Sequence, residues 1–253
     1  MRRLGIIGIG AGDPDYLTVQ AIKALNRTDV FFFFDKGADS GDLLHFRHEI
    51  CGRYIEHDRY RIVEVEAPER DLGGPDYGGA VDTWHEARID LWASLLEHEL
   101  PDGQCGGVLA WGDPGLYDST LRVLEAVRLR RRLALELEVV PGISAVQALA
   151  ARHTIPLNEV GGSVLVTTGR GLAKRWATGV DDVAVVMLDP RCSFQDLDDP
   201  DTTIYWGAFL GTPDETLIAG TIGERGEEIK RVRSEGRARK GWMFDTYLLR
   251  RAT

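Results

Sequence analysis

The feature that most constrains the fold of this 253-residue chain occurs three times: an apolar segment runs through a glycine-containing loop into a helical pattern. The three junctions contain the sequences GIGAGDPDYLT, WGDPGLYDST and VPGISAVQALA, in that order. Apolar strands that alternate with helices are typical of α/β folds, and open α/β sheets bind ligands at the carboxyl ends of their strands. We therefore predict an α/β protein with a ligand site at these loops.

The first half of the chain shows the alternation of strands and helices that this fold requires. Leu4 to Ile9 has the pattern of a buried strand, Thr18 to Arg27 that of a helix, and Val30 to Phe34 that of a second strand. This order predicts parallel pairing of the two strands through a right-handed crossover. Residues 35–80 are rich in charged and turn-forming residues and are predicted to form surface or cleft-lining structure. Alternating helices and strands are then predicted at 81–99, 107–111, 119–130 and 135–140.

The second half begins where Pro141 and Gly142 interrupt the pattern, and it contains more strands than helices. The segment ISAVQALAARH predicts a helix. Strands are predicted at 163–168, 183–188, 203–209, 215–221 and 242–249. A chain of 253 residues exceeds the usual size of one compact domain. We therefore predict two α/β domains, an N-terminal one at residues 1–140 and a mixed one at residues 141–253.

Composition argues against several classes of protein. A net charge of −10 disfavours binding to nucleic acid, because phosphates are neutralised by a basic surface. The apolar stretch Leu4 to Ile9 is interrupted by glycine, as in a strand rather than a signal peptide, and no stretch approaches the roughly 20 apolar residues that cross a bilayer. Cys51, Cys105 and Cys192 share no CxxC spacing, so neither a disulfide framework nor a four-cysteine zinc site is expected. We predict a cytoplasmic protein without nucleic-acid or membrane partners.

The first loop also resembles the fingerprint of dinucleotide-binding proteins. Gly8 and Gly10 occupy the first two positions of GxGxxG, and Asp35 ends the second strand where a ribose-binding acid would lie. The third position is Asp13, whose negative charge would repel a pyrophosphate at the helix N-terminus. An NAD-dependent oxidoreductase is therefore a disfavoured alternative.

A possible metal site lies at His45, His48 and Cys51, whose spacing of three residues places them on one stripe of a helix. Only three ligands are present, and Arg47 adds positive charge beside them. We therefore predict a polar surface or cleft helix there and no bound metal.

Two residues of the later loops have both a binding and a structural interpretation. Asp113 can accept hydrogen bonds from an amino or ribose hydroxyl group of a ligand, or it can stabilise a tight turn. Ser144 can contact a ligand at the start of a helix, or it can only cap that helix. The residues alone leave these alternatives open.

Taken together, the three junctions resemble the tetrapyrrole methylase family. DKG at 35–37, IYWGAFLGTPDETLIAG and ARKGWMFDTYLLRR extend this resemblance over nearly the whole chain and point to a deacetylating branch of the family. The resemblance implies two α/β domains with the active site in the cleft between them, S-adenosylmethionine as the cofactor, and a homodimer.

By position, the resemblance implies cofactor contacts in both halves of the chain. They fall on Gly10, Ala11, Gly112, Asp113, Leu116, Ser144, Ala145, Met187 and Gly220. Many relatives have a proline where this chain has Ala11, so the first loop departs from the family pattern.

The resemblance also implies the reaction, which is methylation of precorrin-5 at carbon 1 with release of an acetyl group as acetate and formation of S-adenosylhomocysteine. Removal of an acetyl group by water needs a base or a group that stabilises an oxyanion. The candidate catalytic residues are Asp35, Lys36, Tyr117, Asp245 and Tyr247. The alternatives are a methylase that acts on a different precorrin and a non-catalytic cofactor-binding protein.

A corrin precursor carries many carboxylates, so an acidic protein must supply local positive charge to bind it. Residues 225–240 contain seven basic and three acidic residues. We predict that Arg237, Arg239 and Lys240 bind substrate carboxylates, because the fork of arginine suits carboxylate geometry. A solvated surface loop or helix is the alternative for this segment.

Overall fold

The computed structural model describes residues 1–35, 41–68, 77–131 and 133–251. The chain forms two compact units, unit 1 with residues 1–10 and 14–143, and unit 2 with residues 11–13 and 144–253. Each unit contains one five-stranded sheet with helices packed against it. The predicted α/β fold class is therefore confirmed.

Unit 1 contains the strands β1 (Arg2–Gly8), β2 (Val30–Asp35), β3 (Arg61–Glu66), β4 (Cys105–Ala110) and β5 (Leu135–Val140). Its helices are α1 (Val19–Leu25), α2 (Gly41–Tyr54), α3 (Tyr77–His98) and α4 (Thr120–Arg130). The strand order is β3-β2-β4-β1-β5, and every neighbouring pair is parallel. The prediction that the first two strands pair directly was wrong, because β4 lies between β1 and β2. Both strands nevertheless run parallel in the same sheet.

Both faces of this sheet are buried, which explains why its interior strands are nearly continuous apolar runs. On one face, Phe32 packs against Trp92 of α3 with ring centroids 5.6 Å apart. On the other face, Phe33 packs with Leu25 of α1 and Ile50 of α2. Helices cover both faces, so the loops at the carboxyl ends of the strands are left to form a site.

Unit 2 contains the helices α5 (Ala145–His153), α6 (Gly169–Trp176) and α7 (Ile222–Lys240). Its strands are β6 (Leu165–Thr168), β7 (Val183–Met187), β8 (Thr203–Ala208), β9 (Thr216–Thr221) and β10 (Asp245–Arg250). The strand order is β6-β7-β10-β8-β9, in which β6 and β7 are parallel and the other pairs are antiparallel. This is the mixed α/β arrangement predicted for the second half of the chain.

Residues 35–80 contain more regular structure than the sequence indicated. The helix predicted around residues 45–51 is part of α2, but Phe46, Ile50 and Cys51 are buried on it, so it is not simply a polar surface helix. Strand β3 was not predicted at all; it has the sequence RIVEVE and lies at the edge of the sheet beside β2. Within the described ranges, no helix combines the length and the apolar character needed to span a bilayer.

Candidate active site

The three glycine loops meet in unit 1, because β4, β1 and β5, which they follow, are neighbours in the sheet. A Cβ atom built on Gly8 would lie 2.6 Å from the backbone nitrogen of Gly142 and 2.9 Å from the carbonyl oxygen of Gly112. Gly112 also donates its N–H to the carbonyl of Gly10 at 2.8 Å, and Gly10 donates back at 3.3 Å. These segments, distant in sequence, therefore pack backbone against backbone at one place, which we call the glycine surface (Gly8, Gly10, Gly112 and Gly142); Gly142 is half-buried and the other three are buried.

Two of these glycines are required by their backbone conformation. Gly10 has a φ of 80° and Gly112 a φ of 69°, in the left-handed region that glycine enters without a steric penalty. At Gly10, an added Cβ would also lie 2.6 Å from the Cβ of Tyr16. Their presence in the sequence is thus explained by the shape of the loops, with or without a ligand.

Asp113 holds two of the loops together. Its Oδ1 accepts a hydrogen bond from the Gly115 N–H at 2.8 Å, and its Oδ2 accepts one from the Gly142 N–H at 2.9 Å. The turn-stabilising interpretation of Asp113 is confirmed, and the bond to Gly142 extends it to the loop after β5. Each carboxylate oxygen has a second lone pair, so a donor on a ligand can still bind.

The rest of the β4–α4 loop presents side chains at the same end of the sheet. Leu116 is half-buried, and its N–H donates to the Asp113 carbonyl at 3.2 Å. Tyr117 is 41% exposed and has a φ of 54°, which is uncommon for a residue other than glycine and tends to occur at functional sites. Asp35 ends β2 opposite Glu66 of β3, and Lys36 lies outside the described residues.

In unit 2, Ser144 caps helix α5. Its Oγ accepts from the Val146 N–H at 3.2 Å, and the Oε1 of Gln147 accepts from the Ser144 N–H at 3.1 Å. This reciprocal arrangement is a capping box, and it leaves only 4% of Ser144 exposed. Ala145 is the first residue of the helix and is half-buried, whereas Ala11, also in unit 2, is buried.

The other two predicted cofactor residues of unit 2 are not neighbours in its sheet. Met187 ends β7 and aligns across the sheet with Thr246, Gly207 and then Leu217 of β9. Gly220 lies three residues beyond Leu217, with a φ of 153°. An added Cβ there would lie 2.6 Å from the Cγ of Arg225, so glycine at 220 has a packing explanation of its own.

Two of the catalytic candidates are enclosed in the core of unit 2. Tyr247 is 1% exposed and donates its hydroxyl hydrogen to Asp189 Oδ2 at 2.6 Å. Burial, together with the Asp189 carboxylate, raises the pKa of Tyr247 far above its usual value, so the hydroxyl stays protonated. Asp245 accepts from Arg233 Nε and from Trp206 Nε1, both at 3.0 Å, and burial raises the pKa of its carboxyl group while Arg233 opposes that change. We assign structural roles to both residues.

Sequence reasoning missed Asp189, a buried carboxylate beside Tyr247. It accepts hydrogen bonds from the Arg191 N–H, the Ser193 N–H and the Ser193 hydroxyl at 3.1, 2.6 and 2.9 Å, in addition to that from Tyr247. An aspartate that follows a buried strand and precedes a turn is the sequence signal for the local bonds. Tyr247 is 58 residues away along the chain, and only the sheet brings it there.

The basic residues predicted to bind substrate lie in the last turn of α7. Residues 225–240 thus belong to a helix, which is one of the forms that the solvated-surface alternative allowed for this segment. Arg239 Nη2 lies 3.1 Å from Asp214 Oδ1, and Lys240 Nζ lies 2.6 Å from Asp214 Oδ2, whereas Arg237 is exposed. One carboxylate therefore already offsets part of this positive charge.

The residues weighed as metal ligands have separate environments. His48 Nε2 lies 3.0 Å from Glu64 Oε1, and His45 is exposed. Cys51 is buried, and burial raises the pKa of its thiol to about 12. Across the described ranges, no three His, Cys, Asp or Glu side chains are grouped so that they could hold a metal ion.

Comparison with known proteins shows one consistent relationship. The model of the family Tetrapyrrole (Corrin/Porphyrin) Methylases matches residues 3–225. A precorrin-6A synthase [deacetylating] from Sinorhizobium sp is 46% identical over 251 residues, which cover 99% of this chain and 96% of the relative. A precorrin-2 C(20)-methyltransferase from the same source is 32% identical over 162 residues, or 61% of this chain and 59% of the relative.

Solved structures agree with this relationship. A cobalamin-synthesis-related protein from Corynebacterium diphtheriae has a TM-score of 0.84 and 36% identity, with 100% of both chains covered. A uroporphyrin-III C-methyltransferase from Thermus thermophilus, solved with S-adenosylhomocysteine, has a TM-score of 0.60 at 17% identity over 98% of this chain and 91% of that one, which shows the fold alone. The family model and the full-length relative together show that this chain belongs to the tetrapyrrole (corrin/porphyrin) methylase family.

Proposed function

We propose that this protein is a methyltransferase of cobalamin biosynthesis that uses S-adenosylmethionine to methylate precorrin-5 at carbon 1, releases acetate and gives precorrin-6A. The observation that carries the proposal is the 46% identity to a precorrin-6A synthase [deacetylating] over 99% of the chain. The full-length similarity to a cobalamin-synthesis-related protein supports the same pathway.

The position of the glycine surface fits the proposed cofactor, because its loops follow the carboxyl ends of β4, β1 and β5, where open α/β sheets bind ligands. From unit 1, we propose contacts at Gly10, Gly112, Asp113 and Leu116. From unit 2, we propose contacts at Ala11, Ser144, Ala145, Met187 and Gly220. Membership of the tetrapyrrole methylase family supports this choice of cofactor. When bound, S-adenosylmethionine supplies a methyl group attached to a positively charged sulfur.

The task of the protein in such a transfer is mainly to position the reactants. Methyl transfer to carbon is an in-line displacement, and good alignment of two reactants can supply roughly 7–11 kcal/mol of the barrier. Asp113 contributes by fixing the β4–α4 loop against the β5–α5 loop through its bonds to Gly115 and Gly142. Backbone geometry rather than a nucleophilic side chain is thus the main requirement for this step.

Loss of the acetyl group needs an acid, a base or an oxyanion donor in addition. Of the predicted catalytic residues, we retain Asp35, Lys36 and Tyr117. Tyr117 is the best supported of these, because its exposed phenol lies on the same loop as Asp113 and its backbone has a left-handed conformation.

The decisive experiment is mass spectrometry of precorrin-5 after incubation with the protein and isotopically labelled S-adenosylmethionine. We expect one labelled methyl group in the product and an equivalent of acetate in solution. Methylation without acetate would contradict the deacetylating activity and would point to a methylase of another precorrin. Methylation of a different precorrin, precorrin-2, is the activity named for the relative of 32% identity.

A thermal shift experiment tests the cofactor independently of the substrate. S-adenosylhomocysteine is expected to raise the melting temperature, and NAD is not, because only ligands that bind the folded state stabilise it. Stabilisation by NAD alone would instead revive the oxidoreductase alternative. Binding of S-adenosylhomocysteine without any methylated product would favour a non-catalytic cofactor-binding protein.

We also propose that the protein acts as a homodimer in the cytoplasm. The absence of a CxxC spacing among its three cysteines supports a reducing compartment. The dimer is proposed from the family resemblance.

A further inference from the structure

Arg47 is a half-buried arginine of α2 that has no ion pair with any residue the structure describes. Its Nε donates to the carbonyl of Leu109 on β4 at 3.3 Å, and its Nη1 donates to the carbonyl of Leu43 at 3.1 Å. Burial lowers the pKa of this guanidinium. In the part of the chain that the structure describes, its Nη2 donates no hydrogen bond and no carboxylate lies within 4.0 Å of its guanidinium.

Arg88 of α3 is a second half-buried arginine, and it too forms no ion pair within the described ranges of the chain. Its Nη1 donates to the Ser119 hydroxyl at 2.6 Å, and its guanidinium carbon lies 4.7 Å from the centre of the Trp84 ring. Burial lowers the pKa of this group as well. Among the described residues, its Nε and Nη2 donate no hydrogen bonds, and no carboxylate lies within 4.0 Å.

The two arginines lie on opposite faces of the sheet, Arg47 at the β4 side of the β4–α4 loop and Arg88 at its α4 side. α2 packs with one face and α3 with the other, and the Asp118 carboxylate is close enough to influence the pKa of both guanidiniums. Asp118 Oδ1 already accepts from the Thr120 N–H at 2.6 Å. Asp118 therefore offsets part of the positive charge of both arginines.

Arg233 is a buried arginine that, in contrast, has an acidic partner. Arg233 lies 3.0 Å from Asp245, and both side chains are enclosed. A buried charge without a partner is costly, so positive groups inside proteins are normally paired or bind an anion. Among the residues that the structure describes, Arg47 and Arg88 are not paired with a carboxylate, and the Nη2 group of each is available to donate to a bound anion.

We propose that Arg47 and Arg88 bind peripheral carboxylates of the tetrapyrrole substrate, an inference that rests on the function proposed above. Guanidinium groups bind carboxylates through parallel N–H donors, and each arginine here has unused donors. Arg88 lies at the α4 end of the β4–α4 loop, whereas Arg47 reaches Leu109 near the end of β4, close in sequence to Gly112 of the glycine surface. Affinity for the cofactor product is therefore measured beside affinity for a tetrapyrrole, so that the two ligands are distinguished.

The test uses uroporphyrin III as a probe, because it is a stable tetrapyrrole with a carboxylate on every peripheral side chain. Its affinity is measured by fluorescence titration at low and high salt for the wild-type protein and for Arg47→Gln and Arg88→Gln. Each variant is expected to bind uroporphyrin about tenfold or more weakly and with a smaller salt dependence. Affinity for S-adenosylhomocysteine, measured by calorimetry, is expected to stay within about twofold.

Arg128→Gln is the matched control, because Arg128 is an exposed arginine of α4 that pairs with Glu125. It is expected to behave as the wild type in both titrations. If the glutamine variants do not fold, Arg47→Lys and Arg88→Lys keep the charge but lose the planar fork, and a loss of about threefold or more is expected.

Unchanged uroporphyrin affinity in folded Arg47 and Arg88 variants would overturn the proposal and leave both residues with structural roles. A loss of S-adenosylhomocysteine affinity as large as that for uroporphyrin would also overturn it, since the anion bound would then be the carboxylate of the cofactor. If the wild type fails to methylate precorrin-5 while the variants still lose uroporphyrin affinity, the carboxylate site stands and only the proposed reaction is wrong.

Discussion

At the residue scale, Gly8 and Gly142 mark a place where two backbone segments pass too close for any side chain to lie between them. Gly8 ends β1, and Gly142 follows β5, its neighbour in the sheet. The contact brings the first and third glycine loops together before any ligand is present. The arrangement of the glycine surface therefore depends on these residues having no side chain.

We predict that Gly8→Ala destabilises the protein by about 1–3 kcal/mol, the usual cost of forcing extra atoms into a packed site. The new Cβ would meet the Gly142 nitrogen at 2.6 Å, and backbone cannot move aside as a flexible side chain can. Urea unfolding measures the change. Gly52→Ala is the control, because nothing lies within 4 Å of its Cβ position in α2, and it is expected to stabilise by up to about 1 kcal/mol. Equal stability of the two variants would refute the packing argument.

We predict that Asp113→Ala weakens binding of S-adenosylhomocysteine by about tenfold or more. Two backbone N–H groups would lose a charged acceptor, and such bonds contribute about 1.5–3 kcal/mol each. Asp113→Asn keeps one acceptor oxygen and is expected to lose less affinity. Calorimetric titration checks both variants, with Asp102→Ala as a control at an exposed carboxylate. A folded Asp113→Ala protein with wild-type affinity would remove Asp113 from the proposed site.

At the scale of elements, the sequence of α7 explains why this helix was hard to recognise from the spacing of its apolar residues. Its buried positions are Ile222, Gly226, Ile229, Arg233 and Gly236, which follow the spacing of one helical face. Only two of these five residues are large and apolar, so a search for apolar periodicity finds little. The glycines lie in close packing, since a Cβ at Gly236 would meet the Cε of Met243 at 2.8 Å. Helix packing through glycine and a paired arginine leaves no apolar signal in the sequence.

The elements that were predicted correctly are those with strong local signals. The apolar runs of β1, β2 and β4 were found because these strands lie inside a parallel sheet that is covered on both faces. The two edge strands, β3 with RIVEVE and β5 with LELEVV, carry charged residues between apolar ones, and of these only β5 was predicted. The order β2-β4-β1 could not be predicted from local patterns, because it depends on which distant strands pair.

We predict that Arg233→Ala destabilises unit 2 by about 3–5 kcal/mol. The change would leave the buried Asp245 carboxylate without its partner at 3.0 Å. Arg231→Ala on the same helix is the control, because Arg231 and its partner Glu235 are both exposed, and such pairs contribute little. Thermal unfolding of both variants provides the comparison, and similar losses would contradict a special role for the buried pair.

We predict that neutralising the basic end of α7 raises the Michaelis constant for the precorrin and leaves S-adenosylhomocysteine affinity nearly unchanged. Arg237→Gln is expected to have a larger effect than Arg239→Gln, because Asp214 already offsets the charge of Arg239. Initial rates at low and high salt measure the change. Equal losses for both ligands would instead indicate general destabilisation, and no loss would leave this segment as solvated surface.

At the scale of the whole molecule, the sequence was sufficient to predict two α/β domains and the family, because the three glycine junctions and several long segments act together. It was not sufficient to separate binding residues from structural ones. Asp245 and Tyr247 lie in a segment that resembles the family, yet both are enclosed in the core of unit 2. Burial depends on the sheet as a whole, and a motif by itself does not reveal it.

The proposed dimer gives a prediction at the same scale. Light scattering at micromolar concentration is expected to give a mass near twice the 28.1 kDa of one chain. A mass of 28.1 kDa throughout that range would contradict the proposal.

The strand orders also determine when each sheet can be completed during translation. In unit 1, β1 is synthesised first and is present when its later neighbours β4 and β5 emerge from the ribosome. In unit 2, the middle strand β10 follows the other four strands along the chain, so its neighbours β7 and β8 cannot pair with it until it has been made. Until residue 245 has emerged, β7 and β8 each have an unpaired edge, which can pair with other chains. Nascent chains from which β10 has not yet emerged are therefore exposed to aggregation, and premature release before β10 leaves the sheet in two separate halves.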